Sequence, residues 1–225
     1  MMHIGVLSAT TKEIEPLLQY LLKHWNSISL MNFQKSEKLV FPLVTGIGST
    51  SMAFALAKFQ AIQKMDFVLH LGVSGSFDAQ LKNGELLEVV SEQWGDLGAE
   101  EANGNFLDGF ELNLMEPDRI PFQNGIIHNL QSKYTSQLKP CKGLTVNSVS
   151  GTQKNADLRR LKFGASLESM EGMGIFYACR MLDLPFISIR AVSNPIGPRN
   201  KEFWDLPLAI KNLNEYAIEF LEKRI

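Results

Sequence analysis

Short apolar runs of strand length alternate along this chain with segments of helical spacing, and this alternation restricts the fold more than any other feature. Six runs have the length and composition of buried strands, at residues 3–8, 39–45, 67–71, 86–91, 144–149 and 186–192. Helical spacing of apolar residues is found at 12–23, 51–63, 126–137, 172–181 and 206–223. Such alternation predicts an α/β protein built on a sheet.

Length and composition agree with one compact domain over residues 1–225. Of the 225 residues 45% are hydrophobic, which is enough to bury a large core. The 22 lysines and arginines nearly balance 24 acidic residues. Nothing therefore suggests a face for a polyanion, and no nucleic acid is expected as a partner.

The expected location is the cytoplasm, with no membrane partner. The first residues carry no basic segment and resemble an opening strand rather than a signal peptide, and no apolar run approaches the roughly 18 residues of a membrane span. Cys141 and Cys179 have neither metal-ligand spacing nor the dense usage of a secreted disulfide framework. The four histidines show no pair with metal-ligand spacing, and Gly46-x-Gly48 lacks the rest of a dinucleotide fingerprint, so neither a metal nor a cofactor is expected.

Residues 95–125 are the exception to the alternation. They are rich in Gly, Asn, Asp, Glu and Pro and show no sustained periodicity. We expect a long functional loop here, because a structureless segment of this size inside a compact domain usually covers a site or an interface.

Polar and small residues follow the predicted strands, where ligands bind in open α/β sheets. Four such turns stand out, at 9–13, 46–49, 72–76 and 193–194, and Glu171 joins them from the start of its own helix.

Two segments in the last third, 167–172 and 190–199, read as two halves of one nucleoside site. The first sets Met170 and Glu171 at a strand-to-helix junction, where side chains can meet a ribose. The second ends an apolar strand with Asn194, whose amide can hold a base. Neighbouring strand ends would then hold the sugar and the base.

In this order and at this separation, the motifs resemble those of the purine and uridine phosphorylase superfamily, and within it the nucleosidases, which hydrolyse rather than phosphorolyse. The likeness spans nearly the whole chain and rests on residues 3–14, 46–48, 72–76 and 169–171. The pair of segments 168–172 and 193–199 is similar to the motifs of the futalosine hydrolases.

The resemblance implies a three-layer α/β/α sandwich around a mixed, partly barrel-like sheet, and a homodimer. It also implies hydrolysis of the N-glycosidic bond of the nucleoside futalosine, which releases hypoxanthine on an alternative route to menaquinone. The alternatives are a methylthioadenosine/S-adenosylhomocysteine or 6-amino-deoxyfutalosine nucleosidase, and a phosphate-dependent purine nucleoside phosphorylase.

The oxocarbenium-like transition state of such a reaction requires an activated water, a carboxylate at the ribose and a partner for the departing purine. The resemblance assigns the water to Glu13. A structural role is the alternative, because Thr10-x-x-Glu13 also matches a capping box at a helix start.

Glu171 is expected to accept hydrogen bonds from the ribose 2′ and 3′ hydroxyls, with the Met170 thioether on the apolar face of the sugar. The alternative is a first-turn glutamate stabilised by the helix macrodipole. The remaining expected substrate contacts are Gly48, Val73, Ser74, Gly75 and Ser169.

Asn194 stands where adenine-specific nucleosidases of this family carry aspartic acid, and it is the second expected catalytic residue. Its amide offers a donor and an acceptor, which matches the N7 or the carbonyl and N–H edge of a 6-oxopurine. Hypoxanthine is therefore favoured over adenine. The alternative is a turn residue before Pro195.

Water is the expected nucleophile, because phosphorolysis needs a cationic cradle for phosphate. The chain has no arginine before Arg119, and Val73 stands where a hydroxyl residue often meets phosphate. Futalosine carries a benzoate on its 5′ substituent, and Arg199 is its expected cation, with Trp204 as a pocket wall. The alternative for Arg199 is a solvated surface side chain.

Overall fold

The computed structural model describes residues 1–29, 31–129 and 134–225. The helices are α1 (Thr11–His24), α2 (Ser49–Ile62), α3 (Gln153–Phe163), α4 (Gly172–Met181) and α5 (Leu206–Lys223), with a short 3-10 helix at Lys201–Phe203. The strands are β1 (Met2–Ser8), β2 (Asn26–Ser29), β3 (Asn32–Lys35), β4 (Lys38–Val44), β5 (Phe67–Ser76), β6 (Leu86–Trp94), β7 (Gly98–Glu100), β8 (Phe106–Asp108), β9 (Ile127–His128), β10 (Lys139–Thr145), β11 (Leu167–Ser169) and β12 (Phe186–Pro195).

The main sheet is mixed and closes on itself at one end. Its strand order is β11-β10-β6-β12-β5-β1-β4-β3-β2, and β11 also pairs with β5. This additional pairing joins β5, β12, β6, β10 and β11 into a small barrel, from which β1, β4, β3 and β2 extend as an open sheet. β12 runs parallel to β5 and antiparallel to β6, so both pairing modes occur within the barrel.

Helices cover both faces of this sheet. Ile4 and Val6 of β1 pack with α1 and α5 in one core cluster, whereas Leu7 packs with α2 and α4 in another. Successive side chains of a strand point to opposite faces, so the two clusters lie on opposite sides. This confirms the expected three-layer α/β/α sandwich around a partly barrel-like sheet. In the described part of the chain, no helix is long and apolar enough to cross a membrane.

Four of the five predicted helices and the six predicted strands are found; α4 and α5 have the predicted ends, and the other elements have shifted ends. The largest shift is in the run 144–149, because β10 ends at Thr145. The helix predicted over 126–137 is wrong at 126–129: Ile127 and His128 pair with β6, and Ile127 is fully buried against it. Residues 134–137 are also not helical, and residues 130–133 lie outside the described part.

The helix α3 was not predicted from the sequence, although its ends are well marked. The Thr152 side chain accepts from the Asn155 N–H at 3.3 Å, and Gly164 takes φ 59° where the helix stops. Of its residues, Ala156 is the buried one. The helix therefore lacks the apolar stripe on which prediction by periodicity depends.

Residues 95–125 are not a structureless loop. They contain a small hairpin, β7 with β8, and Phe122 is buried against the cluster formed by α2 and α4. The Phe110 and Phe122 rings meet edge to face at 5.3 Å. The expectation of a long loop without elements is therefore wrong, because three aromatic and thioether side chains, those of Phe110, Met115 and Phe122, anchor the segment to the core.

Candidate active site

A cavity of about 430 Å³ opens at the carboxyl ends of β1, β5, β11 and β12. Gly48 lies behind the wall, and its N–H donates to Glu171 Oε1 at 3.1 Å. The other nine residues predicted for the site line this cavity: Glu13, Val73, Ser74, Gly75, Ser169, Met170, Glu171, Asn194 and Arg199. The structure thus brings together residues that are up to 186 positions apart in sequence, Glu13 and Arg199.

Glu13 lines the cavity and also forms the capping box that its spacing from Thr10 predicted. Its Oε2 accepts from the Thr10 N–H and hydroxyl, each at 2.9 Å, and from the Ser8 hydroxyl at 3.1 Å. Its Oε1 accepts from the Val73 N–H at 3.2 Å. One oxygen caps α1 while the other meets β5 at the cavity wall. The helix cap therefore fixes the carboxylate in place without turning it away from the cavity.

Glu171 is held from two sides immediately before α4. Its Oε1 accepts from the Gly48 N–H, and its Oε2 lies 3.7 Å from Arg190 Nη2. The side chain is nine-tenths buried yet lines the cavity. A carboxylate fixed in this way can accept hydrogen bonds from vicinal hydroxyls without reorganising.

Arg190 is a residue of the site that the sequence analysis missed. It is 2% exposed, and its Nη2 donates to the Ser169 hydroxyl at 3.3 Å. A Cβ at Gly72 would lie 1.8 Å from Arg190 Nη1 and 3.5 Å from Glu13 Oε1, so glycine leaves the space that the guanidinium occupies. One cation thus lies close to both Glu13 and Glu171. The available signal was a single charged residue inside an apolar strand, where charge is almost always paired.

Glu92 is a second buried group without a predicted role. Its Oε1 accepts from the Thr145 hydroxyl at 3.0 Å, and its carboxyl lies against Gly143 and Gly172, where a Cβ would come within 2.3 Å of Oε2. Burial raises the pKa of Glu92 to about 8, although Arg190 acts in the opposite direction. Burial thus favours the neutral form of Glu92, and the carboxylate paired with Arg190 is that of Glu171.

On the opposite side of the cavity, Asn194 pairs in register with Gly75. Its Oδ1 accepts from the Ser193 hydroxyl at 2.8 Å, and its Nδ2 donates to the Pro195 carbonyl at 2.9 Å.

The nearby Ser74 hydroxyl is buried and has no hydrogen-bond partner among residues 1–29, 31–129 and 134–225. Buried hydroxyls are normally satisfied, so Ser74 is suited to a ligand contact.

Two exposed cations flank the mouth of the cavity. The Arg199 guanidinium lies 5.0 Å from the centre of the Trp204 ring, close enough for a cation–π contact. Lys12, which the sequence analysis did not select, also lines the cavity from the first turn of α1. Both side chains are exposed and can meet an anionic substituent that extends toward solvent.

Comparison with known proteins matches residues 3–223 to the phosphorylase superfamily. This protein belongs to that superfamily. A futalosine hydrolase of Thermus thermophilus is 35% identical over 175 residues, which cover 76% of each chain. A 5′-methylthioadenosine/S-adenosylhomocysteine nucleosidase of Glaesserella parasuis is 23% identical over 232 residues, which cover 98% of each chain.

The phosphorylase superfamily fold is also seen in solved structures. A futalosine hydrolase mutant of Helicobacter pylori superposes with a TM-score of 0.79 at 18% identity, covering 99% of this chain and 100% of that chain. The two share the fold. Water is the expected nucleophile because no arginine precedes Arg119 to hold a phosphate. That expectation overlooked Arg190, which reaches the site from β12. That buried guanidinium is already paired with Glu171 beneath the cavity.

Proposed function

We propose that this protein hydrolyses the N-glycosidic bond of futalosine, with water as the nucleophile, and releases hypoxanthine. Hydrolysis of a nucleoside N-glycosyl bond is the activity of this enzyme; futalosine, the residue roles and the menaquinone route are the proposed parts. The observation that carries the proposal is that two anchored carboxylates, Glu13 and Glu171, share one cavity above a single buried cation.

The two carboxylates support different steps. Glu13 Oε1 accepts a proton from the attacking water, whose oxygen bonds to C1′ as the bond from C1′ to N9 breaks. Glu171 accepts hydrogen bonds from the ribose hydroxyls and favours the positive charge that develops on the sugar. The electron pair of the broken bond leaves with the purine, and the Asn194 amide donates to the base as it accepts this charge.

The contacts of the purine and of the 5′ substituent set the proposed substrate apart from its alternatives. Asn194 presents an amide that suits a 6-oxopurine, and Arg199 offers a cation to a carboxylate at the mouth of the cavity. We further propose a homodimer in the cytoplasm. Residues 95–125 do not line the cavity of their own chain, which leaves this segment free to meet a second copy.

Product analysis tests the proposal directly. Purified protein is mixed with futalosine, inosine, methylthioadenosine and 6-amino-deoxyfutalosine, each with and without phosphate. Free hypoxanthine from futalosine at a rate independent of phosphate is expected. Ribose 1-phosphate products would establish phosphorolysis, and preferential adenine release from methylthioadenosine would make the nucleosidase alternative correct.

A further inference from the structure

Glu168 is a buried carboxylate on the cavity wall that has no part in the steps above. It lies in the middle of β11, is 3% exposed and lines the cavity. In the barrel it pairs with Gly75, which on its other side pairs with Asn194. Glu168 and Asn194 therefore flank Gly75 in one row across three strands, on the same side of the cavity as the proposed purine.

The carboxylate of Glu168 is held firmly but retains an acceptor position. Its Oε1 accepts from the Ser150 N–H at 2.8 Å, and its Oε2 accepts from the Ser150 hydroxyl at 2.8 Å and from Arg159 Nη1 at 2.9 Å. A carboxylate has about four acceptor positions. Among the described residues three are used, and the fourth is on Oε1.

We infer that Glu168 accepts a hydrogen bond from N1–H of a 6-oxopurine and thereby selects that base over a 6-aminopurine. This inference rests on the proposed function. A 6-oxopurine carries a hydrogen on N1, whereas a 6-aminopurine presents a lone pair there. A carboxylate that only accepts attracts the first and repels the second.

The spacing of the row suits a purine. Adjacent strands are about 4.8 Å apart, so Glu168 and Asn194 have backbones about 9.6 Å apart across Gly75. Glycine at 75 makes room for Ile196 and for the Asn194 amide, since a Cβ there would lie 2.6 Å from Ile196 Cγ1 and 3.3 Å from Asn194 Nδ2. With that amide packed against β5 at the cavity wall, one purine edge can face Asn194 while the N1 edge faces Glu168.

A purely structural role for Glu168 makes a different prediction. The three observed hydrogen bonds fix Ser150 and Arg159, and loss of these contacts would disturb the cavity for every substrate alike. Recognition of N1–H instead changes the ratio of kcat/KM for a 6-oxo substrate to that for its 6-amino analogue. This ratio is the quantity to measure.

The decisive variant is Glu168→Gln, measured with futalosine and 6-amino-deoxyfutalosine, which differ at the purine. The amide keeps the size of the side chain but can turn a donor toward N1. The ratio of kcat/KM values is expected to fall about tenfold or more, as for loss of a charged hydrogen bond. Ser150→Ala is the matched control, because it removes the hydroxyl contact to Oε2 but keeps the carboxylate, and its ratio should stay within about twofold of the wild type.

An unchanged ratio in Glu168→Gln, with both substrates slowed equally, would overturn the inference while the proposed function stands. Absence of hypoxanthine release from futalosine by the wild-type enzyme would instead overturn the proposed function. If the variant does not fold, calorimetry on the wild type decides, with hypoxanthine, adenine and 1-methylhypoxanthine as ligands. Hypoxanthine should bind about tenfold or more tightly than the other two; equal affinity for hypoxanthine and 1-methylhypoxanthine would contradict a contact at N1–H.

Discussion

The two walls of the cavity are built differently. The proposed ribose wall is formed by Glu13 and Glu171 above the buried Arg190, and backbone N–H groups or other strand residues hold each of these side chains. The proposed base wall, formed by Asn194 at the end of β12 and Arg199 in the following loop, is half-buried to exposed and contacts its own loop. Glu168 is the exception, since it belongs to the base wall but is fixed like the ribose wall.

We infer from this difference that the first wall controls the rate of the reaction and the second controls which substrate is accepted. Charges fixed in a buried site act on the transition state without reorganising, and there they stabilise developing charge most strongly. Partly exposed positions, at the end of β12 and in the loop that follows it, can change their side chains at little cost to the core. Variants of the ribose wall should therefore alter turnover of every substrate, and variants of the base wall should alter the choice among substrates.

Glu13→Gln tests the ribose wall where the expected effect is largest. Loss of the general base should lower kcat about 10²- to 10⁴-fold with little change in KM. Glutamine can keep the capping-box acceptor toward Thr10, so α1 should be retained, but its NH2 then faces the Val73 N–H, and a modest fall in the melting temperature is expected. The readout is hypoxanthine release at saturating futalosine. Glu15→Gln, which changes an exposed neighbour on α1, is the matched control. If Glu13→Gln kept its turnover within threefold of the wild type, Glu13 would have no part in the mechanism.

Glu171→Gln should reduce kcat/KM by about ten- to hundredfold, the range for hydrogen bonds to a charged group. The effect should depend on the sugar, because the carboxylate is expected to bind the 2′ and 3′ hydroxyls. Inosine and 2′-deoxyinosine therefore form a double-mutant cycle with this variant. A smaller loss on 2′-deoxyinosine is expected, and equal losses on both nucleosides would show that Glu171 does not bind the 2′ hydroxyl.

Glu92 tests whether the barrel beneath the ribose wall holds a proton. Burial raises the pKa of Glu92 to about 8 from 4.5, so the folded state binds this proton more tightly than the unfolded chain. Unfolding releases it between these values, and this group's contribution to the free energy of unfolding falls as pH rises from 4.5 to 8. The slope for one proton is about 1.4 kcal/mol per pH unit.

Denaturant titrations at several pH values across this window measure that slope. Glu92→Gln retains an acceptor for the Thr145 hydroxyl but has no proton to release. Its stability should vary less steeply with pH than that of the wild type. Parallel curves for the two proteins would mean that Glu92 is charged in the folded state.

Site residues at the ends of strands could be predicted from the sequence, whereas site residues inside strands could not. Glu13 and Glu171 each follow a strand within a few residues, and Asn194 lies at the carboxyl end of β12, so local spacing and the family resemblance were enough to select them. Arg190 and Glu92 lie inside β12 and β6, which pair with each other in the barrel. Arg190 donates to Ser169 of β11, the strand whose pairing with β5 closes the barrel. Pairing between strands so far apart in the chain leaves no local pattern.

The errors in secondary structure have a similar origin. The run 126–137 has helical spacing, yet Ile127 is buried because β6 offers it a strand partner. In α3 the caps were present, but a helix with so little buried surface shows no periodicity to find. Tertiary pairing overrode the first pattern, and solvent exposure erased the second. That residues 1–225 fold as one domain stays a prediction.

Arg199→Ala probes the exposed end of the base wall, where the expected effect is smallest. An exposed charge pair contributes little, so KM for futalosine should rise about two- to fivefold with kcat unchanged. Inosine lacks the benzoate and should be unaffected. Added salt should reduce the difference between the two proteins, because exposed charges are screened over about 10 Å at 0.1 M. Lys201→Ala, which removes another exposed cation nearby, is the control. If Arg199→Ala raised KM equally for inosine, Arg199 would support the loop through Trp204 rather than bind a carboxylate.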